Sequence, residues 1–530
     1  MHIELTIKNY RCFPDSRPAR ITLRDGFTSF VGSNNSGKSS LLKFFYEFRS
    51  IFQSWTFNSA AVLTALQGQL QAYAPVPTVF EWAEVLSNSN ERDLQIEVNL
   101  PDVNGTSPNA NCPMANRVVV TVARSSNIWS TRVHNSGQQL PNLAPSLATT
   151  GVVMSSNVAV TDLSAVFEAF KVMSNIIYIG PFRNAVNHGS SDTYFDIQVG
   201  QSFITSWKQY KVGNVKKQNE ACHKLTEDIK QIFGYKDLDI SSSADDRSLQ
   251  VLIDGKSFKL PEVGSGLTQF ILVLATAAIK SPSYIFIDEP ELNLHPSLQL
   301  DFLTTLASYA SNGIVFATHS IGLARAASDR IYSVRKIEQG VSEVRDLERT
   351  PRLAEFLGEL SFSSYKELGF ETVLLVEGRT EVKTFQQFLR PLKKDHQVVL
   401  IPLGGDTLVN ANSEAELVEL ARISNRVCAV IDSERSRAGQ PLSANRQGFV
   451  EACNRANINC KVLEWRALEN YLSDNAVKKV KGSLYQALGP YQERTALAPI
   501  WAKTDNWRVA REMSLAELQV TDLGQFLQGL

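Results

Sequence analysis

The sequence has almost no net charge. Its 530 residues include 53 basic and 54 acidic side chains, which leaves a formal charge of −1. No overall field would therefore draw the protein onto nucleic acid or an anionic membrane, and any DNA contact must come from local patches. Hydrophobic residues make up 43% and charged residues 20%, a balance that excludes a fully disordered chain or a rod.

Cysteine pairs and long apolar runs are also missing. The six cysteines are scattered without a C-x-x-C pair, which argues against a disulfide framework or a zinc site and fits a reducing cytoplasm. The longest strongly apolar run, Phe270 to Ile279, is too short to span a bilayer and ends at Lys280. The first residues alternate polar and apolar side chains, unlike a signal peptide. We therefore expect a cytoplasmic protein without a membrane segment.

Two successive patterns of alternating helices and buried strands are present. Over 262–335 they predict a parallel sheet with crossover helices, and a similar, smaller pattern follows a boundary at about 350–368. We predict an α/β fold with a first domain over 1–350 and a second over 366–530. Helical or loop insertions are expected in the first domain at about 51–90 and 140–235.

A phosphate-binding loop is the most specific motif. The segment from Gly32 to Ser39 reads GSNNSGKS, which matches G-x-x-x-x-G-K-[ST] between a predicted strand and a predicted helix. Its glycines let backbone N–H groups turn toward phosphates, its lysine reaches the β/γ oxygens, and its last serine is suited to Mg²⁺. The nucleotide-binding candidates in this segment are Gly32, Asn35, Ser36, Gly37, Lys38, Ser39 and Ser40.

Two further strand ends carry polar groups that complement this loop. The strand YIFID ends in Asp288, suited to a Mg²⁺ shared with Ser39, and Glu289 beside it is suited to activating the attacking water. The strand IVFAT is followed by His319, which could contact the γ-phosphate.

Together these residues resemble the ABC-type ATPase heads of the SMC, Rad50 and RecF group. The resemblance implies that Glu289 is the catalytic base and His319 the switch histidine. It also implies a signature loop that contacts ATP on an opposing head, for which Gly264, Ser265 and Gly266 are candidates, although a flexible turn is the alternative. A homodimer or higher homo-oligomer with ATP and Mg²⁺ follows. Arg11 and Gln95 are weaker nucleotide-site candidates.

A second acidic centre is predicted in the smaller domain. The strand VLLV delivers Glu377, followed by Gly378 at an expected tight turn and by Glu381 in the next helix. The strand VCAVI precedes Asp432 and Glu434, whose i, i+2 spacing would put both carboxylates on one side of an extended segment. Because ligands gather at the carboxyl ends of parallel strands, these four carboxylates should converge. No lysine or arginine in the motifs compensates them, which predicts divalent cations, Mg²⁺ or Mn²⁺.

This second centre resembles a Toprim domain. The E-G-x-x-E form, the Gly404–Gly405 turn and the late E-N-Y segment are similar to OLD-family nucleases, which fuse an ABC ATPase to a C-terminal Toprim domain. The resemblance implies that Glu469 joins the metal site, that Lys503 stabilises the transition state, and that two metal ions cleave DNA. It includes anti-phage nucleases that act with a helicase-like subunit, or with a reverse transcriptase and its nucleic acid.

The motifs and the resemblance together predict an ATP-regulated, metal-dependent DNA endonuclease or nickase, in which ATP could either activate or restrain cleavage. A Rad50/SMC-like clamp with a non-cleaving Toprim domain is the alternative, although heptad arms are missing. Lysines at 208–224 and at Lys478, Lys479 and Lys481 could contact DNA or form solvated helix faces.

Overall fold

The computed structural model describes most of the chain, and the following account is confined to these residues. They are 2–32, 34–57, 59–67, 71–72, 81–108, 110–135, 138–139, 146–147, 151–181, 193–243, 247–292, 294–338, 340–346, 372–395, 397–403, 417, 426–496 and 498–530. The predicted Gly404–Gly405 turn lies outside them, as does most of 415–423, where the sequence AELVELARI predicts a helix.

The chain divides into two compact units. The first comprises Met1–Leu294, Thr305–His319 and Arg330–Leu347, and the second comprises His295–Thr304, Ser320–Asp329 and Glu348–Leu530. Two short stretches that the sequence places in the first domain therefore group with the second unit. An ion pair within the second unit contributes to this grouping, since Lys383 Nζ lies 3.0 Å from Asp329 Oδ1.

Residues 1–346 form helices and several β-sheets, which are listed here in chain order. The helices are α1 (Lys38–Glu47), α2 (Arg49–Phe57), α3 (Ser59–Leu66), α4 (Ser164–Ser174), α5 (Gly200–Val212), α6 (Lys216–Phe233), α7 (Ser265–Lys280), α8 (Pro296–Ala307) and α9 (Ile321–Ala327). The strands are β1 (Ile3–Lys8), β2 (Ala19–Leu23), β3 (Gly26–Val31), β4 (Gln71–Ala72), β5 (Leu94–Asn99), β6 (Arg117–Val122), β7 (Ile128–Asn135), β8 (Gln138–Gln139), β9 (Ser146–Leu147), β10 (Val152–Ser155), β11 (Val158–Asp162), β12 (Ile176–Ile179), β13 (Thr193–Tyr194), β14 (Ile197–Gln198), β15 (Leu238–Ser242), β16 (Leu249–Ile253), β17 (Lys256–Lys259), β18 (Tyr284–Asp288), β19 (Gly313–Thr318), β20 (Arg330–Glu338) and β21 (Val341–Asp346).

A six-stranded sheet positions the phosphate loop. Its order is β12-β18-β19-β3-β20-β21, and its strands are parallel except for β21. Every residue of β18 and β19 is buried, as expected for strands covered on both faces. The predicted parallel sheet with crossover helices is therefore confirmed. β12 falls inside the expected 140–235 insertion, yet it is an edge strand of this sheet.

A second, antiparallel sheet has the order β2-β1-β5-β6-β7-β4, with β8 paired to β7. β1 and β5 alternate buried and half-buried residues, which is typical of strands with one face on the core. The stretch expected to be helical at 51–90 is only partly so: α2 and α3 are followed by β4 and by the 3₁₀ turn Trp82–Val85.

The second unit contains a four-stranded parallel sheet. Its order is β23-β22-β24-β25, and β22 and β24 are buried along their whole length. The strands are β22 (Thr372–Val376), β23 (Val398–Pro402), β24 (Val427–Ile431) and β25 (Asn459–Val462), and the helices after α9 are α10 (Arg379–Leu389), α11 (Ala444–Arg455), α12 (Asp474–Lys481), α13 (Asn506–Arg511), α14 (Leu515–Gln519) and α15 (Asp522–Gly529). Short 3₁₀ turns at Leu468–Tyr471 and Lys503–Asp505 lie between these helices.

Each unit has its own apolar core. The core of the first unit includes the α1 side chains Leu41, Phe44 and Phe45, while the second has one cluster on each face of its sheet. Within the described ranges, no helix combines the length and apolar character needed to cross a bilayer.

Candidate nucleotide site and candidate metal site

The loop from Gly32 to Ser39 joins β3 to α1, as its sequence predicts. Two of its glycines are required by space, since a Cβ on Gly32 would lie 2.1 Å from the Val334 carbonyl oxygen, and one on Gly37 would lie 2.6 Å from Cys12 Sγ. Gly37 also has φ +103°, a left-handed conformation that favours glycine. Asn35 shares this region at φ 59°, so the loop curls back on itself.

The side chains of this loop differ in their exposure. Lys38 and Ser36 are buried, whereas Ser39 is exposed. Lys38 Nζ donates to the Gly32 carbonyl oxygen at 2.8 Å, which holds the ammonium inside the loop. Burial lowers the Lys38 pKa, and the neighbouring Asp288, Glu289 and Glu291 carboxylates oppose that shift. The carbonyl oxygen of Ser40 accepts a hydrogen bond from the Tyr10 hydroxyl at 3.0 Å.

Asp288 ends β18 with both carboxylate oxygens buried. Neither accepts a hydrogen bond of ordinary geometry from a described residue. Burial raises the Asp288 pKa to about 6, while the Ser39 hydroxyl beside it acts in the opposite direction. A buried carboxylate next to a hydroxyl is an oxygen ligand set that suits Mg²⁺, so these two residues fit the cation that accompanies ATP.

Glu289 and His319 meet at the ends of neighbouring strands. Glu289 has φ 51°, a strained backbone conformation for this residue type, and its N–H donates to the Ala317 carbonyl oxygen at 2.9 Å. His319 Nε2 lies 3.1 Å from Glu289 Oε1 and 3.4 Å from Lys38 Nζ. The structure therefore brings together the three groups that the sequence assigns to the γ-phosphate region.

Glu291 is a residue that the sequence interpretation missed. Its Oε1 accepts hydrogen bonds from Thr318 Oγ1 at 2.7 Å and from the His319 N–H at 3.0 Å. The carboxylate thus fixes the backbone on which His319 is carried. The sequence does show a third acidic residue in the segment D-E-P-E, which could have marked Glu291 as a candidate. It does not show which groups that residue contacts.

The candidate signature residues lie at a helix N-terminus. Gly264 precedes α7, whose first residue is Ser265, and both are exposed while Gly266 is half-buried. Because the first N–H groups of a helix lack intrahelical partners, this end could bind an anion. Arg11 instead forms an ion pair with Glu47 at 2.5 Å, and Gln95 lies in β5 of the antiparallel sheet.

Comparisons with known proteins agree with this geometry. Residues 1–111 match the family described as "AAA ATPase domain", and residues 222–325 match the family described as "AAA domain, putative AbiEii toxin, Type IV TA system". The two matches contain the phosphate loop and the Asp288–His319 strands respectively. The chain contains an ATPase domain of the AAA/ABC type.

Two curated relatives match parts of this ATPase domain. The chain is 31% identical over 119 residues to the glutamate transport ATP-binding protein GluA of Corynebacterium efficiens, covering 21% of this chain and 48% of that protein. It is 26% identical over 196 residues to the Fe(3+) ions import ATP-binding protein FbpC of Fusobacterium nucleatum, covering 36% and 49%. The chain spans about half the length of these relatives, and the matches support ATP binding.

Solved structures of SMC heads are also similar. One SMC head, bound to the C-terminal winged-helix domain of ScpA, has 11% identity and a TM-score of 0.39, covering 65% of this chain and 97% of that one. The SMC head domain from Thermotoga maritima has 14% identity and a TM-score of 0.33, covering 66% and 100%.

Three carboxylates cluster in the second unit, apart from the ATPase motifs in the sequence. Glu377 follows β22, Glu381 lies in the first turn of α10, and Asp432 follows β24. One carboxylate oxygen from each lies within 4.8 Å of the others. Gly378 lies in the two-residue bend between β22 and α10, with φ −132°, an extended conformation that is open to any residue.

The close spacing of like-charged groups in this cluster shifts the pKa values of its carboxyls. Burial and then the Glu377 carboxylate raise the Glu381 pKa to about 8. The Asp432 pKa is raised well above its ordinary value, by burial first and by Glu381 and Glu377 next. Anionic carboxylates held this close cost free energy unless a cation joins them. Their hard oxygen atoms fit Mg²⁺ or Mn²⁺.

Glu469 and Lys503 lie beside the cluster. Glu469 is buried in the 3₁₀ turn Leu468–Tyr471, and its Oε1 is 2.9 Å from Lys503 Nζ. Asp432 Oδ1 accepts the N–H of Leu468 at 2.9 Å, which ties this turn to the end of β24. The structure thus brings both late residues to the strand ends where the first three carboxylates lie.

Arg446 on α11 is the second functional residue that the sequence interpretation missed. It is buried and forms an ion pair with Glu377, and Nη2 lies 3.2 Å from Glu434 Oε1. Arg446 lies outside the motifs, so a compensating charge that the motifs were expected to lack comes from elsewhere in the chain. Glu434 was expected on an extended segment, but its φ is 52°, and its largely exposed side chain pairs with Arg446 outside the cluster of three.

The lysine-rich stretches mostly pair with acidic neighbours. Lys478 lies 2.5 Å from Asp474 and Lys479 lies 2.6 Å from Glu512, while Lys481 pairs with Asp505. Lys211 similarly pairs with Asp239 at 2.5 Å. These contacts favour the interpretation of both stretches as solvated helix faces over the interpretation as DNA-binding surfaces.

Proposed function

We propose that this chain is an ATP-regulated, divalent-metal-dependent DNA endonuclease or nickase, with a C-terminal Toprim domain like that of OLD-family nucleases. The observation that carries the proposal is the convergence of Glu377, Glu381 and Asp432 at the carboxyl ends of parallel strands. This cluster, with a lysine beside it, is suited to binding a phosphodiester. The substrate is anionic, so it can approach the carboxylates only when metal cations balance their negative charge.

The Glu377, Glu381 and Asp432 carboxylates would hold the cation. A divalent cation bound there supplies a more acidic water and neutralises charge on the phosphodiester. In the proposed hydrolysis, the water oxygen forms a bond to phosphorus as the bond to the leaving oxygen breaks. The water gives up a proton to solvent, and the leaving oxygen gains one, so the balance requires no further reactant.

Lys503 is the candidate for stabilising the anionic transition state. Its side chain is about half exposed, so it can reach a substrate, while Glu469 holds the ammonium in place at 2.9 Å. The carboxylates of Glu469, Asp432 and Glu381 raise the Lys503 pKa against the effect of burial, so the side chain carries its positive charge. A positioned cation is most effective when charge develops on a phosphate oxygen.

The ATPase domain is proposed to work as a two-fold homodimer. Each ATP would contact Lys38 of one chain and the Gly264–Ser265 end of α7 in the other. Support comes from the exposure of that helix end, which leaves its N–H groups accessible to a phosphate. In this arrangement Glu289 orients the attacking water and His319 contacts the γ-phosphate.

We further propose a role in anti-phage defence in the cytoplasm, with DNA as the substrate. Partner proteins would be a helicase-like subunit, or a reverse transcriptase with its nucleic acid. This part of the proposal is supported by the order of motifs along the chain, from phosphate loop to acidic centre.

A plasmid assay tests the proposed function. Purified full-length chain is incubated with supercoiled DNA and millimolar Mg²⁺ or Mn²⁺, with and without ATP. We expect open-circular or linear product that requires the metal, and a rate that changes when ATP is present. A Lys503→Met variant should lose at least about 10-fold in rate, whereas Lys479→Met, which removes an exposed lysine of α12, should not. DNA that is retained but never cut would support a clamp instead.

A further inference from the structure

Arg446 makes an unusual set of contacts at the acidic centre. Its Nη1 donates to Glu377 Oε1 and, at 2.7 Å, to the Asp432 carbonyl oxygen. Its Nη2 lies 3.4 Å from Glu377 Oε2 and 3.2 Å from Glu434 Oε1. The guanidinium therefore lies between Glu377 and Glu434, where it links two of the carboxylates expected to bind metal.

The hydrogen bonds on Glu377 leave it limited capacity for cations. Oε1 accepts from Arg446 and also from the Asp432 N–H at 2.6 Å, which satisfies that oxygen. Oε2 lies 3.4 Å from Arg446 Nη2, and one carboxylate oxygen of Glu377 lies within 4.8 Å of an oxygen of Glu381 and of Asp432. Glu377 can thus offer one oxygen to a cation shared with Glu381 and Asp432, but not a second one toward Glu434.

The net charge of the site also favours a single divalent cation. When ionised, the four buried or half-buried carboxylates Glu377, Glu381, Asp432 and Glu469 exceed Arg446 and Lys503 by two negative charges. Glu434 is left out of this balance because its side chain is largely exposed and its charge is screened by solvent. One divalent cation balances that excess. A second one would reverse the sign of the site and would lie against the guanidinium, at a separation where like charges repel strongly.

We propose that Glu377, Glu381 and Asp432 bind one divalent cation, and that the Arg446 guanidinium occupies the position of a second. This inference rests on the proposed nuclease function and refines it from two metal ions to one. Arg446 is then a positioning residue that orients Glu377 and supplies fixed positive charge. Glu434 is a partner of Arg446 and not a metal ligand.

The test is the number of Mn²⁺ ions bound by the full-length chain without nucleotide. An Asp288→Asn background removes binding at the ATPase motif, and electron paramagnetic resonance then reports bound Mn²⁺ and any coupling between ions. We expect one Mn²⁺ per chain at saturation, with the spectrum of an isolated ion. Two ions per chain with a coupled spectrum would overturn the assignment of Arg446.

Two variants test the proposed ligands and the role of Arg446 separately. Glu434→Gln, at an exposed side chain, should change the Mn²⁺ affinity by less than about 3-fold, because the proposal excludes it from the ligands; a 10-fold loss would contradict the proposal. Arg446→Met should admit a second, coupled Mn²⁺, and a folded Arg446→Met protein that still binds one ion would contradict it. If the variant does not fold, the wild-type stoichiometry and Glu434→Gln decide the question.

Failure of this inference can be told apart from failure of the proposed function. Two coupled ions in an active nuclease would overturn only the role of Arg446. A chain that binds no Mn²⁺ at this cluster, with an affinity unaffected by Asp432→Asn, would overturn both, because the acidic centre would then not be a metal site.

Discussion

His319 Nε2 lies 3.1 Å from Glu289 Oε1, at the ends of two neighbouring parallel strands. The imidazole and the carboxylate can share a hydrogen bond there, and both are positioned near the lysine of the phosphate loop. This contact links the residue proposed to activate water with the residue proposed to detect the γ-phosphate.

Glu289→Gln should therefore separate ATP binding from ATP hydrolysis. The amide keeps the size of the side chain but cannot accept a proton, so we expect hydrolysis to fall by about 100-fold or more with ATP affinity nearly unchanged. The ATP-bound dimer should accumulate, as measured by light scattering. Glu220→Gln, at an exposed position on α6, is the matched control. Full-rate hydrolysis by a strictly monomeric wild-type protein would refute the shared-site proposal, and full-rate hydrolysis by Glu289→Gln would refute its role as the base.

Glu291 provides a test of positioning. Glu291→Ala removes the acceptor for Thr318 and for the His319 N–H, so we expect a fall in kcat of about 10-fold with a small change in KM. The two contacts also predict a loss of about 2 kcal/mol in stability. Both donors use Oε1, so Glu291→Gln retains an acceptor oxygen and should recover most of the rate. Equal defects in the two variants would show that the negative charge, not the geometry, matters.

Gly37→Ala should destabilise the ATPase domain. The new Cβ would lie 2.6 Å from Cys12 Sγ, at a residue with φ +103°, and we expect a cost of about 2–4 kcal/mol. Gly255→Ala is the control, because Gly255 also has positive φ, +79°, but nothing lies within 4 Å of its Cβ position. That change should cost about 1 kcal/mol. Thermal melts of both variants measure the difference, and equal melting temperatures would contradict the steric argument.

Glu381→Gln should have opposite effects on thermal stability in the absence and in the presence of a divalent metal. Burial and the Glu377 carboxylate raise the Glu381 pKa to about 8, so near pH 7 folding must either protonate this group or hold its charge. Glu381→Gln removes that cost, and the metal-free melting temperature should rise by about 2 °C or more. The same change removes a ligand, and the stabilisation of wild type by Mn²⁺ should largely disappear. Glu493→Gln, an exposed carboxylate in the same unit, should alter neither value. A Glu381→Gln protein still fully stabilised by Mn²⁺ would exclude this residue from the site.

The sequence predicted the nucleotide and acidic centres because their residues follow buried strands. Parallel strands bring their carboxyl ends to one edge, so Asp288 and His319, or Glu377 and Asp432, become neighbours as soon as the sheets are recognised. The residue types at these ends, together with the glycine spacing of the phosphate loop, then indicate the chemistry. Ile176–Ile179 lies inside the expected 140–235 insertion, yet it pairs with β18 in the ATPase sheet, because strand pairing depends on tertiary contacts that the local sequence does not show.

The residues that escaped prediction act through long-range contacts. Arg446 lies on a helix whose sequence, ANRQGFVEACNR, is ordinary for a half-exposed surface, and only the packing of that helix brings the guanidinium to Glu377. Glu291 is one acidic residue among several, and its role depends on a backbone N–H from another strand end. Glu434 was misplaced because its own backbone, three residues after the end of β24, has φ 52° and is not extended.

We propose that the acidic cluster of the second unit, and not the ATPase site, cuts DNA. The most direct measurement is plasmid nicking by Glu377→Ala at several millimolar Mg²⁺ and Mn²⁺, with Asp432→Asn as a second variant and Lys38→Ala as the reference. We predict that the first two lose nicking by about 100-fold or more while hydrolysing ATP within about 2-fold of wild type, and that Lys38→Ala loses ATP turnover. Undiminished nicking by folded Glu377→Ala and Asp432→Asn proteins would contradict the account and place the nuclease site elsewhere.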